Sequence, residues 1–345
     1  MPSAGARKIE SEMQRRDDAL WEWSRFWQSD QLQSCMPACG PDDSSQLFST
    51  WRKFFAELPT GACILDIGTG NGSVATQAAA VSQERSKQFL IHGVDLADID
   101  PPRFVTSATD LLREITFHPG TPMEKLPFPE SHFDAVASQY ALEYSQINKS
   151  LAEAMRVLRS RGRFRFLLHA QDGVLKSRCQ LQRQQAETIL DSSLFFHLTD
   201  ALKKIVAAEK QNSPQTVISA EESIATLKGA FDDLEHKFAG ADNRSLVDNL
   251  FAAVRQLPGL RKTYDLKTLL GMADDIRDLL KAQAKRLLAM EHSALDDVGA
   301  EELIEQLRIN GATAVTLAQA AAGDDKICVG YWLYGKKAAD NTNDR

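Results

Sequence analysis

Residues 65–72 read Leu-Asp-Ile-Gly-Thr-Gly-Asn-Gly and place glycines at 68, 70 and 72 straight after an apolar run. Side chains there would block close approach, so glycine lets a ligand lie against backbone N–H groups and the N-terminus of the following helix. The next apolar run ends His-Gly-Val-Asp, which puts Asp95 where an acid can accept both hydroxyls of a ribose. Dinucleotide dehydrogenases use such a loop in the form G-x-G-x-x-G, to seat a pyrophosphate. This chain has Ser73 where the last of those glycines would stand. A second cofactor class uses a similar loop, and the spacing to Asp95 suits either. A tight turn without a ligand is the alternative reading.

The stretches that separate these classes lie downstream, in the order EKLPFPESHFD, ALEY, AMRVL and RSRGRF, over residues 124–164. Together with the glycine loop and Asp95 they make the chain resemble the class I S-adenosylmethionine-dependent methyltransferases, in particular the small-molecule branch related to quinone biosynthesis. The resemblance covers residues 62–170 and 296–336 and does not reach the segment between them. It implies an α/β, Rossmann-like sheet of seven strands with helices on both faces. It also implies S-adenosylmethionine as cofactor and S-adenosylhomocysteine as product. Gly68, Thr69, Gly70 and Gly72 then match the cradle around the methionine part, Asp66 the acid near its amino group, and Asp95 with Leu96 the ribose side. Ser138 and Gln139 match positions beside the amino acid moiety and the reactive methyl. Where the family often has an acid for adenine, Met123 stands and is expected to pack on the base. Arg161 replaces the proline of the family's P-G-G turn, a change expected to be structural.

Methyl transfer from a sulfonium is an in-line displacement, so the protein must align the nucleophile, take up its proton where it has one, and exclude water. Candidates at the carboxyl ends of the fourth and fifth strands are Tyr140, Glu143, Tyr144 and His169. Among them His169 is the expected base, since an unperturbed imidazole titrates near ~6.5. Each also has a structural reading: a loop hydrogen bond for Glu143, core packing for the tyrosines, a satisfied buried position for His169. A small-molecule hydroxyl is the preferred acceptor, with carbon and nitrogen open. The rival readings are methylation of a protein or RNA, and a scaffold whose cofactor site is vestigial.

These residues need a frame. Runs ending in Ile67, Asp95, Tyr140 and Ala170 alternate with helical patterns such as residues 148–160, which predicts a parallel sheet. Residues 301–319 read as a helix stopped near Asn310-Gly311 and a strand, and residues 326–335 as a last strand. The expected organisation is an aromatic helical segment over 1–60, a core over 61–170 and 296–337, a helical insertion over 171–295, and a disordered tail over 338–345. The loop 35–45 interrupts the first segment, whose Trp21, Trp23, Phe26 and Trp27 read either as core packing or as a flap over a ligand. Breaks near 212–214, 240–243 and 258–259 divide the insertion into about four helices that would cover or shape the acceptor site. Exposed helix faces there could pair two copies as a homodimer.

A net charge of −7 and an isoelectric point near 5.6 argue against a general nucleic-acid or anionic-membrane surface. The one basic run, Arg156 to Arg165, spans a helix end and a strand start, at the edge opposite the cofactor. No apolar stretch is long enough to span a membrane, and five scattered cysteines predict reduced thiols and a cytoplasmic protein. Cys35 and Cys39 lack the partners of a zinc set, and no spacing joins His92, His118 and His132, so no metal is expected.

Overall fold

The computed structural model describes residues 21–34, 41–323 and 326–339. The chain divides into two compact units, Met1–Ser177 with Ala289–Arg345, and Arg178–Leu288. In the first, residues 21–27 form α1, followed by α2 (Pro41–Ala56), β1 (Cys63–Ile67), α3 (Ser73–Arg85) and β2 (Leu90–Val94). Short helices α4 (Pro101–Phe104) and α5 (Thr109–Leu112) lead to β3 (Ile115–His118), β4 (Phe133–Gln139), α6 (Ile147–Val157) and β5 (Leu158–Leu168). Helices α7 (Val174–Leu190), α8 (Leu194–Gln211), α9 (Pro214–Lys237), α10 (Ser245–Gln256) and α11 (Leu266–Ser293) come next. Last are α12 (Asp297–Ile309), β6 (Ala312–Ala322) and β7 (Ile327–Lys337). The helix α2 begins inside the stretch read as a loop, with Pro41 at its first position, where no backbone N–H is needed. Cys35 and Cys39 lie outside the described residues, as does the tail from residue 340 on. Of that tail, Ala338 is hydrogen-bonded to Gly311 O at 2.8 Å.

The seven strands form one sheet in the order β3-β2-β1-β4-β5-β7-β6. β7 runs antiparallel to both neighbours, and the other pairs are parallel. β1 is buried on both faces, which is why it reads as an uninterrupted apolar run instead of an alternating one. Ala75, Ala78 and Ala79 of α3 are buried, and their small side chains let the helix lie close to the sheet. α6 buries Leu151, Ala154 and Met155, a three-to-four spacing that lays one face on the core. That core joins Leu65, Ile67, Phe133, Val136, Phe164, Phe166 and Leu333. β3 escapes the sequence pattern because it is only four residues, Ile-Thr-Phe-His, at the sheet edge.

The second unit has its own core, in which Phe195, Leu198, Leu202, Phe231, Leu234, Phe251 and Leu269 are buried together. Its helix breaks follow local chemistry. Asn212 ends α8 in a left-handed conformation, and Ser213 starts α9 with a capping box to Thr216 and Pro214 in the first turn.

Where β5 meets β7, a Cβ built on Gly330 would collide with the Leu168 carbonyl oxygen, a backbone atom that cannot step aside cheaply. Gly330→Ala should therefore lower stability by about 1–3 kcal/mol, read from the denaturant midpoint. Gly229→Ala on α9, where an added methyl meets nothing within 4 Å, should be neutral or stabilising by about 0.5–1 kcal/mol.

Candidate functional site

Strand order reverses between β1 and β4, since β2 lies beyond one and β5 beyond the other. Connections leaving these carboxyl ends diverge and open a crevice. Into it runs the turn from β1 to α3. Gly68 and Gly70 take φ of 65° and 51°, the left-handed region that glycine enters without penalty. Asp66, at the end of β1, is 2% exposed, and its Oδ2 accepts from Thr69 Oγ1 at 2.7 Å. Its Oδ1 is buried with no hydrogen-bond partner. Burial pushes its pKa up to about 7, against the hydrogen bonds from Thr69 and the Ala75 N–H, with a smaller upward push from Asp95. Asp95 ends β2 and accepts from Gly70 N at 2.8 Å and from Ala97 N at 2.9 Å. Burial raises its pKa too, and those two N–H bonds oppose the rise. Each of its oxygens keeps a second lone-pair direction for another donor.

Beyond β4, Ser138 is fully buried and donates to Ile67 O at 2.8 Å, tying the ends of β4 and β1 together. Gln139 accepts from Trp51 Nε1 at 2.7 Å. Tyr140 has φ of 51°, a costly conformation for a non-glycine residue. Its N–H donates to Leu167 O at 2.7 Å and its hydroxyl to Val329 O at 2.9 Å, so the side chain is fixed to β7. Glu143 lies in the 3₁₀ turn Leu142–Tyr144 and faces the end of β5. Its Oε1 accepts from the His169 backbone N–H at 2.8 Å and pairs with His169 Nδ1 at 2.7 Å. The two side chains are 1% and 2% exposed, and Glu143 Oε2 is buried without a hydrogen-bond partner. The His169 ring lies against Tyr140, centroids 4.3 Å apart, and its carbonyl accepts from Leu295 N at 2.9 Å.

A third wall comes from the N-terminal segment. Trp23 and Trp27 stack at 5.9 Å, and Trp23 meets Tyr144 edge-on at 5.8 Å. The enclosed space is a cavity of about 330 Å³, within the range of small-molecule sites. Among the residues read from sequence, Asp66, Gly68, Thr69, Asp95, Leu96, Met123, Gln139, Tyr140, Glu143 and Tyr144 line it.

Four do not line it. Gly70 faces Trp27, and Gly72 faces Leu112 and Phe117, so the bareness of both serves protein packing. Ser138 is spent on the β1 carbonyl. His169 sits behind Glu143 and Tyr140, which corrects its expected place as the base in direct reach of substrate; Glu143 holds the cavity position. The hydroxyl of Tyr140 donates to Val329 O. Sequence reasoning missed Leu32, Gln33, Ser34, Glu124, Ala289 and Ser293, which also line the cavity. Within the basic run, Arg165 lies over the rings of Phe54, Trp332 and Tyr334. His92 Nδ1 and His118 Nε2 meet at 3.1 Å, and burial lowers the pKa of both. Among the described residues no group of three or more metal-ligating side chains forms, and no helix is long and apolar enough to cross a membrane.

A family model described as a methyltransferase domain matches residues 65–166, from β1 through β5. The chain carries a class I methyltransferase domain. It is similar to the ubiquinone/menaquinone biosynthesis C-methyltransferase of Rickettsia massiliae (strain Mtu5), with 28% identity over 123 residues, 34% of this chain and 49% of that protein. The Rickettsia bellii (strain OSU 85-389) enzyme gives 28% over 119 residues, 33% of this chain and 48% of that one. The chain thus spans about half the length of the curated relatives it matches. Among solved structures it is similar to the DszA carbon methyltransferase, at 12% identity and a TM-score of 0.42 over 86% of this chain and 55% of the other.

Members of this family use S-adenosylmethionine, and one observation on the methyltransferase domain fits that group. A buried, unpartnered carboxylate oxygen on Asp66 calls for a donor such as an ammonium.

In the ligand-free protein the raised pKa of Asp66 has a signed consequence. The folded chain holds a proton there that the unfolded chain has released, so the contribution to stability falls as pH rises from about 4 to about 7 and is level above that. Relative to Asp66→Asn, wild-type unfolding free energy should decline by up to about 1.4 kcal/mol per pH unit across that window. Parallel urea titrations at each pH measure the difference.

Proposed function

We propose that the protein transfers a methyl group from S-adenosylmethionine to a small molecule bearing a hydroxyl, with Glu143 taking up the acceptor's proton. The cofactor, when bound, supplies an electrophilic methyl on a good leaving group. Asp66 is assigned to its ammonium group, Asp95 to the ribose hydroxyls, and Met123 to the adenine side. Thr69 keeps the Asp66 carboxylate in place through its hydroxyl.

The observation that carries the reading is Glu143. Its Oε1 is held twice by His169, while Oε2 remains buried without a partner on a residue that lines the cavity. A buried acceptor left unmet costs about 1–3 kcal/mol, and an acceptor hydroxyl supplies the missing donor. As the oxygen bonds to the methyl, the O–H proton passes to Glu143. His169 acts as a positioning residue, fixing the carboxylate through its Nδ1 and backbone N–H. Trp23 and Tyr144 furnish the apolar face against which a flat acceptor would rest.

A carbon acceptor is the second reading, favoured by the C-methyltransferase relatives. The same deprotonation of a ring hydroxyl would make the adjacent ring carbon nucleophilic, so Glu143 keeps its role. Nuclear magnetic resonance of the labelled product distinguishes O–CH3 from C–CH3.

Incubation with methyl-labelled S-adenosylmethionine and fractionated small molecules tests the reading. Label found only in protein or RNA would replace it with the macromolecular alternative. On an identified acceptor, Glu143→Gln should lower turnover by roughly 10²- to 10⁴-fold with cofactor affinity nearly intact. Asp95→Ala should weaken S-adenosylhomocysteine binding by about tenfold to a hundredfold in calorimetry. A bound ammonium favours the charged form of Asp66, so affinity should weaken by up to about tenfold per unit as pH falls below about 7. Asp66→Asn should abolish that slope.

A further inference from the structure

The glycine loop carries a residue that neither the cofactor nor the acceptor accounts for. Asn71 is fully buried, and its Nδ2 donates to the carbonyls of Trp27 at 3.0 Å and Gln31 at 2.7 Å, with Ser29 O at 3.5 Å. One amide thus gathers the backbone of residues 27–31 from about forty positions away. Beside it, a Cβ on Gly70 would fall inside the Trp27 indole, so the missing side chain makes room for that ring. Ser73 donates to Gln33 Oε1 at 3.2 Å. Farther out, Asp30 accepts from Thr106 N at 2.8 Å and Thr106 Oγ1 at 2.6 Å, and Ser24 Oγ accepts from Asp98 N at 2.9 Å. Trp27 packs in a small cluster with Ala97 and Ile99, next to Asp95.

We infer that residues 23–34 form a strap latched by Asn71 onto the glycine loop, and that this latch controls how fast the cofactor enters and leaves. The strap supplies Trp23, Trp27, Leu32, Gln33 and Ser34 to the cavity wall, so a cofactor in the cavity is covered by it. The anchor points, Asn71, Gly70 and Ser73, belong to the same turn that would cradle the methionine part. Asn71 is therefore a positioning residue that acts on the cofactor through the strap. An asparagine suits the place because its NH2 supplies donors to carbonyls, where an aspartate would set oxygen against oxygen. This inference rests on the proposed cofactor site, but its first test does not need a cofactor.

That test is hydrogen exchange of peptides covering residues 24–34 in the full-length, ligand-free protein. Wild type should show protection there, Asn71→Ala about tenfold or greater loss of it, and Asp30→Ala, a surface change outside the cavity, a smaller loss. The sheet peptides should be unchanged, which separates latch release from general unfolding. An unprotected strap in wild type, or unchanged protection in both variants, overturns the latch. The second test is the dissociation rate of S-adenosylhomocysteine by stopped flow. It should rise about tenfold or more in Asn71→Ala and less in Asp30→Ala. An unchanged rate in both variants despite a released strap overturns control of exchange. Failure of wild type to bind S-adenosylhomocysteine, with the strap protected, would instead strike the cofactor assignment.

Discussion

The whole site hangs on one turn. Between Ile67 and Ser73 the chain leaves the central strand, enters the left-handed region at Gly68 and Gly70, and starts a helix, all within the crevice at which strand order reverses. That geometry places Asp66 at the end of a fully buried strand, on the wall of the cavity. It also leaves the Gly70 N–H for Asp95, so the two acids of adjacent strands are set by one loop. Removing either glycine would put a side chain into Ala141 or Trp27 and disturb the acid positions with it.

The acceptor side depends on a second constraint. At Tyr140 the backbone turns left-handed directly after β4, a strain held by hydrogen bonds at both ends of the residue, to Leu167 O and Val329 O. The break in strand geometry lets the chain fold back as the turn Leu142–Tyr144 and bring Glu143 to the end of β5, where His169 meets it. The antiparallel β7 is what allows this, since it carries Val329 to the same edge as the carboxyl ends of β4 and β5. Strain at Tyr140 is thus compensated by the sheet and expressed in where a carboxylate sits.

Much of this frame was legible beforehand, because β1 and β4 are largely buried apolar runs and β2 and β5 close on shorter ones, and such runs need no tertiary knowledge to recognise. β3 was not, since four residues at an edge carry no period. Asp66, Asp95, Met123 and Glu143 were legible as residues of the crevice edge, where motif spacing places them and where they line the cavity. The place of His169 was not legible for a related reason: spacing puts a residue at an edge but does not set whether its side chain lines the cavity. The second and third glycines were read as ligand space, yet their neighbours are Trp27, Leu112 and Phe117. Contacts across forty or more positions, such as Asn71 to Gln31, leave no local trace in the sequence.

Two carboxylate oxygens in one cavity, Asp66 Oδ1 and Glu143 Oε2, are buried and unmet. Left so, each costs the fold about 1–3 kcal/mol, a sizeable share of the stability of a single domain. Were these acids there for folding alone, an apolar residue of similar size would serve better at either position, and Thr69 and His169 would have no charge to orient. Instead Thr69 holds one oxygen of Asp66 and His169 one oxygen of Glu143. On the proposed reading a ligand brings the missing donors, one cationic and one carrying a proton to give up. The same cavity wall includes the strap, so the two acids and the proposed cover over the cofactor meet at the glycine turn.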